Sequence, residues 1–137
     1  MQDIVITKII DVPIERVFKA NTDPKDLKQW CSAGNGWTTP FAETDLRGGG
    51  FIRVGFASPD GKDDFVLEGK IQEISEPTKL VYTLGEDRTV TMTLEELGDQ
   101  TKYTIAFTPE QENSEEMQRQ GWTAIADNLI KYLKEEN

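Results

Sequence analysis

The chain has 137 residues, of which 25 are acidic, 15 are basic and none is histidine, so its formal net charge is −10. This charge disfavours nucleic acid and anionic membrane surfaces as partners, because both are bound through clustered lysines and arginines, which are scattered here. The length fits a single domain, residues 1–137, that is large enough to bury a hydrophobic core.

The cysteine and histidine content further restricts the possible function. Cys31 is the only cysteine, so the chain can form no internal disulfide, and without histidine a zinc site is disfavoured. No run of about 18 apolar residues occurs, and the N-terminus has no basic segment leading into an apolar one. We therefore expect a cytoplasmic protein that does not insert into membranes and needs no metal or other cofactor.

The first quarter of the chain predicts one strand and two short helices. Residues 2–11 are rich in β-branched side chains, which favour a strand. Pro13 suits the first position of a helix, and Asp23 suits the N-cap of a second helix that carries Trp30. Residues 31–36 have the composition of a loop.

Apolar and polar residues then alternate with a period of two, which predicts six further strands. Turns rich in glycine, proline and aspartate separate these strands, as in the hairpins of an antiparallel sheet. The predicted strands are Thr39–Leu46, Phe51–Phe56, Phe65–Ile74, Leu80–Leu84, Val90–Leu94 and Tyr103–Phe107.

The last part of the chain, from Asn113 or Ser114 to the C-terminus, predicts one long amphipathic helix. Gln118 interrupts its apolar side, and Gly121 interrupts the helix interior. The element order is β-α-α-β6-α, an α+β arrangement in which this helix covers one face of a curved antiparallel sheet. The apolar side of the helix comprises Trp122, Ile125, Ala126, Leu129 and Leu133.

Short strings along nearly the whole chain occur in an order typical of one superfamily. They are Val12-Pro13 with Val17-Phe18, Thr22-Asp23-Pro24 with Leu27 and Trp30, Asp45-Leu46-Arg47 before Gly49-Gly50, Pro59-Asp60-Gly61, Pro77 before Leu80-Val81-Tyr82, and Gly121-Trp122. This set resembles the START-like (SRPBCC) superfamily, in the branch homologous to the C-terminal domain of the activator of the heat-shock-protein-90 ATPase. The resemblance implies the helix-grip fold, in which six or seven strands wrap around a long C-terminal helix.

Two positions depart from the family pattern. Cys31 stands where many relatives carry a second tryptophan, and Gln118 stands where some carry a histidine. Because the chain has no histidine, histidine-dependent chemistry of a relative cannot be transferred to it.

We predict a ligand cavity between the long helix and the sheet. In an apolar wall Gln118 would need a hydrogen-bonding partner, such as a ligand or water, and Gly121 would make room beside Trp122. The alternative is that Trp122 is ordinary core, Gly121 relieves crowding against the sheet, and Gln118 is solvated. Tyr82 would join Gln118 in orienting polar ligand atoms. The predicted ligand-binding residues are Trp30, Trp37, Phe65, Tyr82, Met92, Gln118, Gly121 and Trp122.

Glu43, Asp45 and Arg47 alternate along one strand, so their side chains share a face. If that face lined the cavity, the two carboxylates could form an acid–base pair with a cationic anchor. The favoured interpretation is a solvated outer face with cross-strand ion pairs. No other set of residues indicates catalysis.

The leading prediction is non-enzymatic binding of a small apolar or amphipathic molecule in an internal cavity. The resemblance implies a second possibility, an interaction module that acts on a heat-shock ATPase chaperone, although the eukaryotic activators have an additional N-terminal domain. A third possibility is a cyclase or hydratase, as occurs elsewhere in the superfamily, and it requires Glu43 or Asp45 inside the cavity.

Overall fold

The computed structural model of the chain describes residues 2–31, 36–85 and 87–136. Part of the predicted loop, residues 32–35, lies outside the described residues. The elements follow the order β-α-α-β6-α, so the predicted architecture is confirmed. Their bounds are β1 Ile4–Ile10, α1 Ile14–Thr22, α2 Pro24–Trp30, β2 Thr38–Asp45, β3 Phe51–Ala57, β4 Asp64–Ser75, β5 Lys79–Leu84, β6 Arg88–Leu97, β7 Gln100–Phe107 and α3 Glu115–Glu136.

The seven strands form one antiparallel sheet in the order β1-β7-β6-β5-β4-β3-β2. Strands β2 to β7 each pair with their neighbours in sequence, whereas β1 pairs with β7 at the far side. The sheet curves into a half-barrel around α3, and the two short helices close one side. None of the described helices is long and apolar enough to cross a membrane.

The β6–β7 hairpin extends further than the alternation of apolar residues predicted. Leu97 pairs with Gln100 across a tight turn, in which Gly98 has a φ of 68° that glycine adopts most readily. Near this turn Glu95, Glu96 and Leu97 of β6 are all exposed. On β7, Thr101 is fully buried, and its hydroxyl donates a hydrogen bond of 2.8 Å to the Val12 carbonyl. Neither an exposed strand end nor a buried polar residue produces apolar alternation, so the pattern gave no signal there.

Irregular pairing in two strands keeps apolar side chains on the concave face. In β4 the register shifts between Ile71, which pairs with Tyr82, and Glu73. Because an extra residue reverses the alternation of side chains, Ile71 and Ile74 both pack into the core. A similar shift occurs in β2 between Thr38 and Phe41.

The core lies between the concave face of the sheet and the three helices. Leu129 and Leu133 of α3 are fully buried, and the Trp122 ring stacks on Phe107 with their centroids 4.1 Å apart. Ser114 caps α3, because its hydroxyl oxygen accepts a hydrogen bond of 3.1 Å from the backbone N–H of Met117. Most of the concave face is therefore covered, and the remaining space lies beside the N-terminal half of α3.

Candidate functional site

A cavity of about 400 Å³ lies between the sheet and the helices. This volume falls within the range of roughly 300–1,000 Å³ that is common for small-molecule sites. The lining residues from the helices and the segment after α2 are Asn21, Leu27, Trp30, Cys31, Trp37, Trp122, Ile125 and Ala126. Those from the strands are Ile6, Ile52, Val54, Phe56, Phe65, Leu67, Gly69, Leu80, Tyr82, Met92, Tyr103 and Ile105.

Six of the eight predicted ligand-binding residues border this cavity, including every tryptophan of the chain. They are Trp30, Trp37, Phe65, Tyr82, Met92 and Trp122. The strand residues reach the cavity because their alternation places them on the concave face, as the period of two predicted.

An aromatic cluster borders the cavity near Phe65, whose side chain is exposed to solvent. Its ring stacks on Phe56 with the centroids 5.0 Å apart and meets Trp37 edge-on at 5.9 Å. Such arrangements are favourable for aromatic pairs. Phe41 lies over Gly55, where a Cβ atom would come within 2.3 Å of the Phe41 ring.

The structure does not place Gln118 among the residues that line the cavity. The side chain is buried, but its Oε1 accepts a hydrogen bond of 2.8 Å from the backbone N–H of Glu110. Its Nε2 donates to the carbonyl oxygens of Glu110 at 3.1 Å and Asn113 at 2.8 Å. The polar atoms of Gln118 are therefore satisfied by hydrogen bonds to the backbone of the segment before α3, and the side chain does not contribute to the cavity lining.

Gly121 is exposed and does not line the cavity either. A Cβ atom at this position would meet no atom within 4 Å apart from its own helix and chain neighbours. The absence of a side chain here thus makes no room for a ligand. Gln118 and Gly121 stood out in the sequence because they interrupt the helix, and that signal did not identify the cavity wall.

Glu43 and Asp45 lie outside the cavity and cannot act as an acid–base pair within it. Arg53 binds Glu43 at 2.9 Å and Glu68 at 2.7 Å, because the register places the three side chains in one row across β2, β3 and β4. Asp45 forms an exposed ion pair with Arg47 at 2.9 Å. This is the outer face with ion pairs that the sequence favoured.

Four of the lining residues are polar, and Tyr82 is the only one of them that the sequence analysis predicted. We call Asn21, Cys31, Tyr82 and Tyr103 the polar end. The Tyr103 hydroxyl donates a hydrogen bond of 3.1 Å to Oδ1 of Asn21, and the Asn21 amide donates to the Val17 carbonyl at 2.8 Å. Alternation placed Tyr103 on the concave face, but the approach of α1 to β7 that brings Asn21 to it is a tertiary contact with no local pattern.

The polar end is uncharged at neutral pH. Burial raises the pKa of the Cys31 thiol to about 12, so the reactive thiolate is scarce. Burial likewise raises the pKa of Tyr82, and its electrostatic interaction with Cys31 adds to the effect. Burial is also the main cause of the raised pKa of Tyr103, followed by interaction with Tyr82 and Cys31.

The ring of Tyr82 is held over Gly69 on the adjacent strand. A Cβ atom at Gly69 would lie 2.5 Å from the Tyr82 ring, so a side chain there would displace the ring. The Tyr82 hydroxyl has no hydrogen-bonding partner within the described part of the chain. Glycine at this position thus leaves room for the Tyr82 ring at the cavity wall.

A second polar arrangement lies outside the cavity and joins the three helices. Arg16 of α1 makes two hydrogen bonds of 3.0 Å to the Asp26 carboxylate on α2. The Tyr132 hydroxyl of α3 donates to the same carboxylate at 2.5 Å. Burial opposes ionisation of Asp26, but the hydrogen bonds from Arg16 and Tyr132 outweigh it and lower the pKa of this carboxyl. The geometry indicates a structural clamp.

A family model for activator of Hsp90 ATPase homolog 1-like proteins matches residues 11–134 of the chain. The chain belongs to this family. No curated protein matches it significantly. No group of three or more potential metal-ligating side chains occurs within residues 2–31, 36–85 and 87–136.

Solved structures of similar proteins have the same fold. The AHSA1-like protein from Aeromonas hydrophila is 27% identical, with a TM-score of 0.89 over 97% of this chain and 94% of that one. Protein Chr148 from Cytophaga hutchinsonii is 30% identical, with a TM-score of 0.83 over 98% and 93% of the two chains. Protein NE0264 from Nitrosomonas europaea, at 22% identity and a TM-score of 0.84 over 98% and 96%, shows likeness of fold alone.

In this member of the activator of Hsp90 ATPase homolog 1-like family, the Asp45-Leu46-Arg47 string with its glycines forms the β2–β3 turn. Gly49 has a φ of 86°, and a Cβ atom at Gly50 would lie 1.9 Å from the carbonyl oxygen of Asp45. The glycines are therefore required by the backbone of the turn. The geometry of this turn accounts for the Asp45-Leu46-Arg47 string and its glycines without assigning them a role in ligand binding.

Proposed function

We propose that the chain binds a small, largely apolar molecule in the cavity between α3 and the sheet. The observation that carries this proposal is a space of about 400 Å³ whose lining is aromatic and aliphatic apart from four polar residues. A ligand that fills the space gains on the order of 25 cal/mol for each Å² of apolar surface removed from water. The polar end supplies the few hydrogen-bonding groups that orient a ligand in such sites.

Energetic considerations also favour an occupied cavity. Protein interiors are close-packed, with few voids larger than a water molecule. An unfilled apolar space costs stability because the atoms around it lose packing contacts, and water gains few hydrogen bonds there. A ligand would restore these contacts. A binding role therefore accounts for a space that the large side chains around it leave open.

The proposal is tested by titration with N-phenyl-1-naphthylamine, an uncharged apolar dye whose fluorescence rises in apolar surroundings. Ala126 is buried at the cavity wall, so Ala126→Phe would place a ring in the cavity. We expect the wild-type chain to bind the dye saturably and Ala126→Phe to bind it at least about tenfold more weakly, a loss of about 1.4 kcal/mol.

Ala124→Phe is the matched control, because Ala124 is exposed on the same helix. This variant should bind the dye as the wild-type chain does. Both variants are first compared by circular dichroism and thermal unfolding, so that weak binding is interpreted only for a folded chain. Saturable binding that is equal in all three proteins, or no binding by the wild-type chain, would contradict the proposal.

The family description supports a second candidate, an interaction with a heat-shock ATPase chaperone. We propose the cytoplasm as the location for either role. A pull-down with a purified chaperone of this class and an assay of its ATPase rate test the second candidate directly. If Ala126→Phe still stimulates the ATPase rate of the chaperone, the activity belongs to a surface separate from the cavity. If the wild-type chain neither binds the chaperone nor stimulates its ATPase rate, this candidate is removed.

A further inference from the structure

We propose that the polar end of the cavity selects an uncharged ligand with one hydrogen-bonding group, such as an alcohol, phenol or ketone, and excludes carboxylates and other anions. This inference rests on the proposed function, since it specifies the ligand class of the same cavity. The lining supports this inference, because its hydrogen-bonding groups are few and neutral and the remaining lining residues are apolar.

The hydrogen bonds within the polar end leave two oxygens for a ligand. Oδ1 of Asn21 accepts the proton of the Tyr103 hydroxyl, so the Tyr103 oxygen can still accept a hydrogen bond. The Tyr82 hydroxyl has no partner among the residues described, and it can donate or accept. A ligand hydroxyl can therefore accept from Tyr82 or donate to Tyr103, and a ketone can accept from Tyr82.

An anion would find no compensating charge in the same place. None of the described residues that line the cavity is lysine or arginine, and the chain has no histidine. Burial raises the pKa of both tyrosines, so they stay protonated and can offer only neutral hydrogen bonds. Burying an unpaired carboxylate in apolar surroundings costs far more than burying a hydroxyl of similar size.

The rest of the cavity limits how such a ligand can lie. Its walls are formed by rings and aliphatic chains, including Trp122 and Met92, which suit an apolar body. Gly69 leaves room for the Tyr82 ring, which packs on the backbone of the adjacent strand. An isolated polar group in an apolar lining suits a molecule with a single polar group.

Naphthalene, 2-naphthol and 2-naphthoate test this inference, because they share one ring system and differ in a hydrogen, a hydroxyl or a carboxylate. The affinity of each compound is measured by its displacement of N-phenyl-1-naphthylamine at neutral pH in about 1 M salt. At this salt concentration the Debye length is about 3 Å, so repulsion by the chain's net charge is screened. We expect 2-naphthol to bind about fivefold more tightly than naphthalene. We expect 2-naphthoate to bind at least about tenfold more weakly than 2-naphthol.

Tyr82→Phe tests whether the preference for 2-naphthol over naphthalene comes from Tyr82, since this variant lacks the hydroxyl and keeps the ring. The ratio of 2-naphthol to naphthalene affinity should fall to about one in this variant. Tyr132→Phe is the matched control, because Tyr132 bonds to Asp26 outside the cavity, and it should keep the wild-type ratio.

The outcomes separate this inference from the proposed function. Equal affinity for 2-naphthol and 2-naphthoate, or an unchanged ratio in Tyr82→Phe, would overturn the selection of neutral ligands while leaving a binding cavity. Failure of the wild-type chain to bind the dye or any of the three compounds would overturn both.

Discussion

Gln118 shows how a polar residue on an apolar helix face can serve the fold. Its amide makes three hydrogen bonds to the backbone of Glu110 and Asn113 and thereby attaches the preceding segment to α3. The sequence correctly indicated that this side chain needs a partner. It could not show whether the partner was a ligand or the chain itself, because that depends on the path of the backbone before the helix.

We expect Gln118→Ala to lower the free energy of unfolding by roughly 1–3 kcal/mol, because backbone groups of Glu110 and Asn113 lose their partner. Urea denaturation measures the change. Gln120 is exposed on the same helix, so Gln120→Ala should stay within about 0.5 kcal/mol of the wild type. Unchanged stability together with weakened dye binding in Gln118→Ala would restore its role as a ligand contact.

Asp26 makes stability depend on acid pH. The clamp lowers the pKa of the folded carboxyl below the ordinary value of 3.8, so its contribution is complete above that value and is lost as pH falls below about 4. We expect Asp26→Asn to be roughly 1.5–3 kcal/mol less stable at neutral pH, because charge-assisted hydrogen bonds are lost. Its stability should also decline less steeply than that of the wild type between about pH 4 and 2.

Urea denaturation across this pH range tests the prediction for Asp26. Asp45→Asn is the control, because the ion pair of Asp45 with Arg47 is exposed and worth at most about 1 kcal/mol. Parallel acid profiles of the wild type and Asp26→Asn would show that the clamp does not control acid stability.

At the scale of elements, α3 combines a buried apolar side with an exposed glycine. Gly121 faces open space, so its presence costs helix stability without making room in the cavity. We expect Gly121→Ala to raise the free energy of unfolding by roughly 0.5–1 kcal/mol and to leave dye affinity unchanged. Thermal unfolding and dye titration check the two expectations. Weaker dye binding would mean that the glycine does shape the site.

The sequence predicted most of the elements because each has a local physical cause. Alternation placed Phe65, Tyr82 and Met92 on the concave face, and a period near 3.6 placed Trp122 toward the sheet. The end of the β6–β7 hairpin has no such period, because β6 is exposed there and the buried residue of β7 is Thr101, and both strands were predicted too short. The polar end was largely missed, because the contact between Asn21 and Tyr103 joins residues that are 82 positions apart.

At the scale of the whole molecule, charge and polarity are separated between surface and interior. The chain carries a net charge of −10, and the Glu43–Arg53–Glu68 row lies on the outer face of the sheet. The lining of the cavity within the described residues has no charged side chain. Under the proposed function, this separation would keep a bound apolar molecule away from the charges of the chain.

Binding in the cavity would connect ligand concentration to the stability of the whole chain. A ligand that binds only the folded state stabilises it by about 2.7 kcal/mol at 100 times its dissociation constant. Since the cavity is bordered by all three helices and six of the seven strands, this gain would act on the entire fold. Local stabilisation of α3 alone would indicate a surface site.

The indole N–H signals of the three tryptophans test the central claim most directly, because Trp30, Trp37 and Trp122 all border the cavity. We expect titration with 2-naphthol, followed by ¹H–¹⁵N correlation spectra, to shift all three signals along one saturable binding curve. In Ala126→Phe the same additions should produce shifts only at much higher concentration. Signals that remain unshifted in the wild-type chain, or that move along separate unsaturable curves, would contradict binding in this cavity.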